Sequence, residues 1–217
     1  MDREGFSSGQ ILMDDVFESF RNAVVLAERK QGLTTLLASR ILCDAVSIDS
    51  GMDPTNAYIV DMSIHRARAC LLTCKHFFTS KGYTLLTSKG TSFSVMIPGN
   101  GALIVHAKTI RDPLWSYRGG NPGIRVYLDS ATWAPDYALR GITEMVLSNA
   151  NSLFRGVSAL ANKFFFAPEE GSTPSQRKRH FIHQCALLRP VVGDKIELAF
   201  LHEGNLYHAE VKKQFLA

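Results

Sequence analysis

TSFSVMIPGNGALIVHAKTIRD, running from Thr91 to Asp112, is the stretch on which the fold class turns. Thr91 to Ile97 and Ala102 to Ile110 are rich in β-branched and aromatic residues that alternate with small or polar ones, the period of a strand with one buried face. Between them Pro98-Gly99-Asn100-Gly101 supplies a tight turn, because Asn-Gly tolerates the positive φ that a hairpin requires. The segment therefore reads as an antiparallel hairpin. Tyr83 to Thr87 adds a strand before it, and Ile124 to Leu128 adds one after the Gly- and Pro-rich loop 118–123.

Upstream, the pattern changes to a helical one. Met13, Val16, Phe17, Phe20, Val24 and Ala27 recur at three- and four-residue steps, which predicts one helix ended by Gly32. Thr34 or Thr35 caps a shorter helix through Leu42. Asp53-Pro54 is a start signal for a third helix reaching about Thr79. Downstream, Trp133-Ala134-Pro135 opens a long helix whose apolar face carries Leu139, Ile142, Val146, Leu153, Val157 and Leu160. A loop from Ala167 to Arg179 follows, then strands at Phe181 to Leu188, Lys195 to Leu201 and Leu206 to Lys212.

The expected fold is α+β: N-terminal helices, a mainly antiparallel sheet of about six or seven strands, and a long helix inserted after the fourth strand. One domain over residues 1–217 is expected, with a helical third at 1–80, sheet and long helix at 81–166, and C-terminal strands at 180–213.

Val191 to Val211, VVGDKIELAFLHEGNLYHAEV, resembles the first hairpin of a Tudor or SH3-like barrel, with Gly-Asp before a strand, an acid-Gly turn and an aromatic-x-Ala-x-Val return. The three further strands of such a barrel have no sequence left to occupy. The stretch is read as a terminal hairpin of the main sheet.

Hydrophobic residues make up 46% and charged residues 20% of the 217, ordinary values for a folded globular chain. The start of the sequence has no signal-peptide layout, and no window is apolar enough to span a bilayer, so no membrane partner is expected. Four cysteines do not make a disulfide framework, and a reducing, cytoplasmic setting is expected.

Charge is unevenly distributed. Residues 1–61 carry −5, residues 62–136 carry +6 and residues 137–217 carry +3. Residues 62–111 contain no Asp or Glu, yet include Arg66, Arg68, Lys75, Lys81, Lys89, Lys108 and Arg111. Phosphate recognition needs cations that local carboxylates have not neutralised, since each must displace a condensed counterion. Arg177-Lys178-Arg179 is a second basic run.

The primary expectation is a nucleic-acid-binding protein that contacts backbone phosphates. Lys81, Lys89, Lys108, Arg111, Arg177, Lys178 and Arg179 are the contacts, with Trp115 and Tyr117 available to stack on bases. Acids of the N-terminal helices packed against the basic segment would cancel that field.

Two other classes are open. The first is an enzyme on an anionic substrate, with His106 and Lys108 as candidate catalytic residues. The order helix, three strands, strand, helix, strand is similar to that of restriction-endonuclease-like nucleases, which hold metal with an acid and an acid-x-Lys. Here His106-Ala107-Lys108 has His where the carboxylate belongs, and imidazole is a poor ligand for a hard Mg²⁺ ion. The second is a protein–protein module, acting through self-association or a protein partner.

No metal or cofactor is expected. Cys70 and Cys74 share a helix face but match no structural-zinc spacing. Neither GxxxxGK[ST] nor GxGxxG occurs. His208 and Glu210 share one face of the last strand and form an unplaced acid–base pair.

Overall fold

The computed structural model describes residues 5–47, 54–113, 117, 123–159 and 173–209. Its elements, in chain order, are α1 (Ser8–Ser19), β1 (Asn22–Ala27), α2 (Leu33–Ser47), β2 (Thr55–Asp61), α3 (Ile64–Ser80), β3 (Leu85–Ser88), β4 (Ser92–Ile97), β5 (Gly101–Thr109), β6 (Ile124–Asp129), α4 (Asp136–Leu147), β7 (Leu153–Ala159), α5 (Pro174–Val192), β8 (Glu197–His202) and β9 (Asn205–His208).

Among the described residues, nine strands form one mixed sheet in the order β3-β4-β5-β2-β6-β7-β1-β8-β9. Neighbours from β5 through β8 pair in parallel. Antiparallel hairpins extend both edges, β3–β4–β5 at one and β8–β9 at the other. The expected mainly antiparallel α+β fold is thus replaced by α/β architecture with a parallel centre, and no long helix is inserted after a fourth strand. The element order behind the endonuclease comparison goes with it.

Helices cover both faces of the centre. α1, α2 and α3 pack on one face, against Ala23, Val25, Ala57, Ile59, Val105 and Tyr127. α4 and α5 pack on the other, against Val24, Leu26, Tyr58, Val60, Val126 and Leu198. A parallel strand buried on both faces is a continuous apolar run rather than an alternating one.

That explains the largest correction. The apolar spacing from Met13 to Ala27 suits one helix, but Ala23-Val24-Val25-Leu26-Ala27 is buried at every position. The helix ends at Ser19, where Phe20 turns to extended backbone at φ −126 and ψ 125. The third expected helix divides likewise: Pro54 precedes β2, and α3 starts only at Ile64, with Ser63 capping its first turn.

The expected long helix after Trp133 stops at Leu147, and Leu153 and Val157 belong to β7. Phe181 to Leu188 is helix rather than strand. Thr173 and Gln176 form a reciprocal capping box, and Pro174 sits at the first helical position. The hairpin at 91–110 and the terminal hairpin β8–β9 are where the periodicity places them.

Beneath the first helical face lies a buried charge network. Asp44 accepts hydrogen bonds from Arg40 Nε at 3.0 Å, Arg155 Nε at 3.2 Å and the Tyr127 hydroxyl at 3.0 Å. Arg125 donates to the Asp44 carbonyl at 2.9 Å, and Arg40 reaches Asp14 at 3.2 Å. Arg155 also donates to the Phe20 carbonyl, tying the end of α1 to β7. These groups lock α1 and α2 onto the sheet and leave its opposite end free for a site.

Candidate functional site

At the carboxyl ends of the parallel strands the connections diverge. The helices following β1 and β2 lie on one face, and those following β6 and β7 lie on the other. In open α/β sheets such a divergence leaves a crevice that ligands occupy. Here a cavity of about 460 Å³ opens at that rim. Its lining includes residues 29–35, Arg66, Asp129, Ser130, Trp133 and Ala159.

The loop between β1 and α2 forms the floor. Lys30 and Gly32 both take left-handed backbone, at φ 67 and φ 69. α1 supports the loop from outside: Ser7 and Gln10 form a capping box, and Gln10 Nε2 donates to the Gly32 carbonyl at 3.3 Å. A Cβ on Gly32 would stand 2.5 Å from that same Nε2, so a side chain there would displace Gln10 from its hydrogen bond as well as straining the left-handed backbone. The first turn of α2 contains no acidic residue of its own.

Thr34 and Asp129 join the two sides. The Thr34 hydroxyl donates to Asp129 Oδ2 at 2.7 Å, linking the start of α2 to the end of β6. Ser130 follows in left-handed backbone at φ 64, a conformation that costs a residue with a Cβ about 1–3 kcal/mol. Its hydroxyl accepts a hydrogen bond from Arg66 Nη2 at 2.8 Å. Arg66 Nε also lies 3.4 Å from Oδ2 of Asp61, the last residue of β2. Burial raises the Asp61 carboxyl above the usual range, with the nearby Asp129 charge acting the same way and the Ser63 amide and Arg66 opposing it. Thr132 and Ser158 hydroxyls meet at 2.6 Å and fix the turn after β6 to the end of β7.

The fold is similar to that of bacteriophage large terminases. Superposition on the large terminase of a thermophilic bacteriophage gives a TM-score of 0.56 at 12% identity, covering 72% of this chain and 39% of that one. The HK97 bacteriophage large terminase gives 0.52 at 16% identity, covering 74% and 33%. The isolated ATPase domain of a Thermus phage large terminase gives 0.52 at 11% identity, covering 83% and 87%. This chain therefore spans well under half the length of the full terminases it matches, but most of the isolated domain. No family model matches the sequence, and no curated protein matches it.

Within this terminase-like fold, the loop after β1 departs from the phosphate-loop pattern GxxxxGK[ST] at two places. Ala27-Glu28-Arg29-Lys30-Gln31-Gly32-Leu33-Thr34 has Ala for the first Gly and Leu for the Lys. Leu33 is buried in the core. Cations at the cavity come instead from Arg29, Lys30 and Arg66. What remains of that pattern is Gly32-Leu33-Thr34, separated from the apolar run 23–27 by the four polar residues 28–31.

The residues singled out from the sequence fall in three places. Lys89, Lys108 and Arg111 lie at the same rim as the cavity, toward the β3–β5 edge, because Thr91 and Ser92 pair with the carboxyl end of β5. Lys81 caps α3 at the opposite end, beside a second cavity of about 470 Å³ lined by Leu42, Cys43, Val46 and Tyr83. Arg177, Lys178 and Arg179 occupy the first turns of α5, so the basic run is helical and not a loop. Arg177 Nη2 meets Glu203 at 3.0 Å and its Nε lies 3.8 Å from Glu28, while Lys178 Nζ sits 4.0 Å over the Tyr207 ring.

Tyr117 is buried with its ring 5.0 Å from Tyr58, and its hydroxyl donates to the Thr109 carbonyl at 3.2 Å. Trp115 and Glu210 lie outside the described residues. His106 stacks on Tyr58 at 5.1 Å and meets Asn56 Oδ1 at 3.2 Å, and burial with the Lys108 charge holds its pKa low. His208 contacts Glu197 at 2.9 Å on the surface.

Cys70, Cys74 and Cys185 are buried, and burial pushes the Cys185 thiol up to about 12. Among the described residues, no group of three His, Cys, Asp or Glu converges as a metal site, and no helix is long and apolar enough to cross a membrane.

Proposed function

We propose that this chain is a nucleotide-binding domain that acts on nucleic acid, with the nucleotide phosphates seated in the cavity at the ends of β1 and β6. The observation that carries this reading is the Thr34–Asp129 contact at 2.7 Å beside the first turn of α2. A phosphate loop uses a hydroxyl at the helix start and free backbone amides to hold an anion. The Thr34 hydroxyl and Asp129 carboxylate are the hard oxygen donors that the Mg²⁺ accompanying a nucleotide takes. Trp133, at the cavity mouth, offers a ring for the base. The thermophilic phage terminase has been solved with ADP and with ATP-gamma-S, which supports a nucleotide as the ligand class here.

The nucleic-acid half rests on charge. At this rim the acids are locally engaged: Asp112 accepts from the Thr109 amide and hydroxyl at 2.9 and 3.1 Å, and Glu28 and Glu203 face Arg177. Lys89 and Lys108 have no acid within their own stretch of chain, the Asp112 beside Arg111 is taken up by Thr109, and we assign the phosphate-backbone contacts to these three cations.

Fluorescence titration with a labelled ATP analogue and Mg²⁺ tests the nucleotide reading. Saturable binding that weakens at least about tenfold in Thr34→Ala and Asp129→Ala is expected, a loss of about 1.4 kcal/mol or more. Native protein that binds no nucleotide overturns it.

A further inference from the structure

We propose that Asp61 accepts the proton of the water that attacks a bound nucleotide's terminal phosphate, and that Arg66 covers Asp61 until that phosphate arrives. The proposal rests on the nucleotide reading of the cavity. Phosphoryl transfer to water needs cationic stabilisation of the phosphoryl oxygens and a group to orient or deprotonate the water. Asp129 is engaged with Thr34, and the residue after it is Ser130 rather than an acid.

Asp61 stands at the end of the neighbouring strand. β2 and β6 pair with Val60 opposite Leu128, so the two aspartates follow at the same level of the sheet. Asp61 is fully buried. Its Oδ1 accepts the Ser63 amide at 2.9 Å, while Oδ2 has no hydrogen-bond partner among the described residues and lies 3.4 Å from Arg66 Nε. A buried carboxylate oxygen without a hydrogen-bond donor is costly, and a catalytic role is one reason for a fold to keep it.

Arg66 is suited to leave. Its side chain is 59% exposed, it lines the cavity, and it already spans Asp61 and Ser130. A guanidinium binds phosphate oxygens in a fork and stays charged throughout. A terminal phosphate in the cavity competes for it, draws it off Asp61 and bares Oδ2. The water oxygen then forms a bond to the terminal phosphorus as the bond to the bridging oxygen breaks. That electron pair leaves with the nucleoside diphosphate, the water proton goes to Asp61 Oδ2, and the products are the diphosphate and inorganic phosphate. Solvent takes the proton afterwards.

The test uses Asp61→Asn and Arg66→Gln in the full chain, with ATP turnover and affinities for a non-hydrolysable ATP analogue and for ADP. Asp61→Asn should bind the analogue like native protein while turnover falls at least about 100-fold. Arg66→Gln, at an exposed side chain, should lose about tenfold of the preference for the analogue over ADP. Native-rate hydrolysis by Asp61→Asn, or an unchanged preference in Arg66→Gln, overturns the proposal. Native protein that binds the analogue without hydrolysing ATP overturns it too while leaving the nucleotide reading in place; absence of nucleotide binding removes both.

Discussion

Leu33 occupies the place where a phosphate loop carries lysine, and its side chain lies in the apolar core beneath α2. A cation there would have to leave that core for the cavity, so the positive charge of the site is shifted to Arg29, Lys30 and Arg66, all on its lining. At the other end of the same helix Asp44 shows the converse: a carboxylate fully buried and held by two arginines and a tyrosine hydroxyl. Removing one partner of a buried ion pair strands the others in low dielectric. Asp44→Asn should therefore lower unfolding free energy by about 3–5 kcal/mol, measured by urea denaturation. A loss below about 1 kcal/mol would mean that water reaches these arginines. Neither residue was legible as functional or structural from its neighbours in sequence. Asp44 lies far along the chain from Arg155, and Leu33 matches a core leucine at the start of any helix.

At the scale of elements, legibility followed the period of burial. β4 and β5 were found because one face of each is less buried than the other and Pro98-Gly99-Asn100-Gly101 marks their turn. β1, buried at nearly every position, gives no alternation, and Met13 to Ala27 fits a helix equally well. α5 shows a signal that was present and passed over: Thr173-Pro174-Ser175-Gln176 is a capping box with Pro at the first helical position. Part of the charge asymmetry that the sequence displays from 62 to 111 falls at the β3–β5 edge, in Lys89, Lys108 and Arg111, while Arg66, Arg68 and Lys75 lie on α3. If this edge tracks a phosphate backbone, Lys89, Lys108 and Arg111 changed together to Ala should reduce the slope of log affinity against log salt for duplex DNA by about three. Lys81→Ala, at the other end of the sheet, should leave the slope unchanged. Equal effects from both, in anisotropy titrations, would place the contact elsewhere.

At the scale of the molecule, the parallel centre could not be read because it joins strands far apart in sequence, such as β1 with β7 and β8. That topology creates the cavity, since it puts the Thr34 end of α2 against the Asp129 end of β6, 95 residues away. The charge layout of the sequence pointed to a polyanion, while the site proposed for a small anion lies in a loop that the apolar spacing makes a helix terminus. Hydrogen exchange of the backbone amides, with and without Mg²⁺ and ATP, tests the phosphate site most directly. Protection confined to residues 29–36 and 129–133 is the predicted result. Unchanged exchange across those two segments at saturating nucleotide, or protection only around Val46 and Tyr83 at the other cavity, would contradict it.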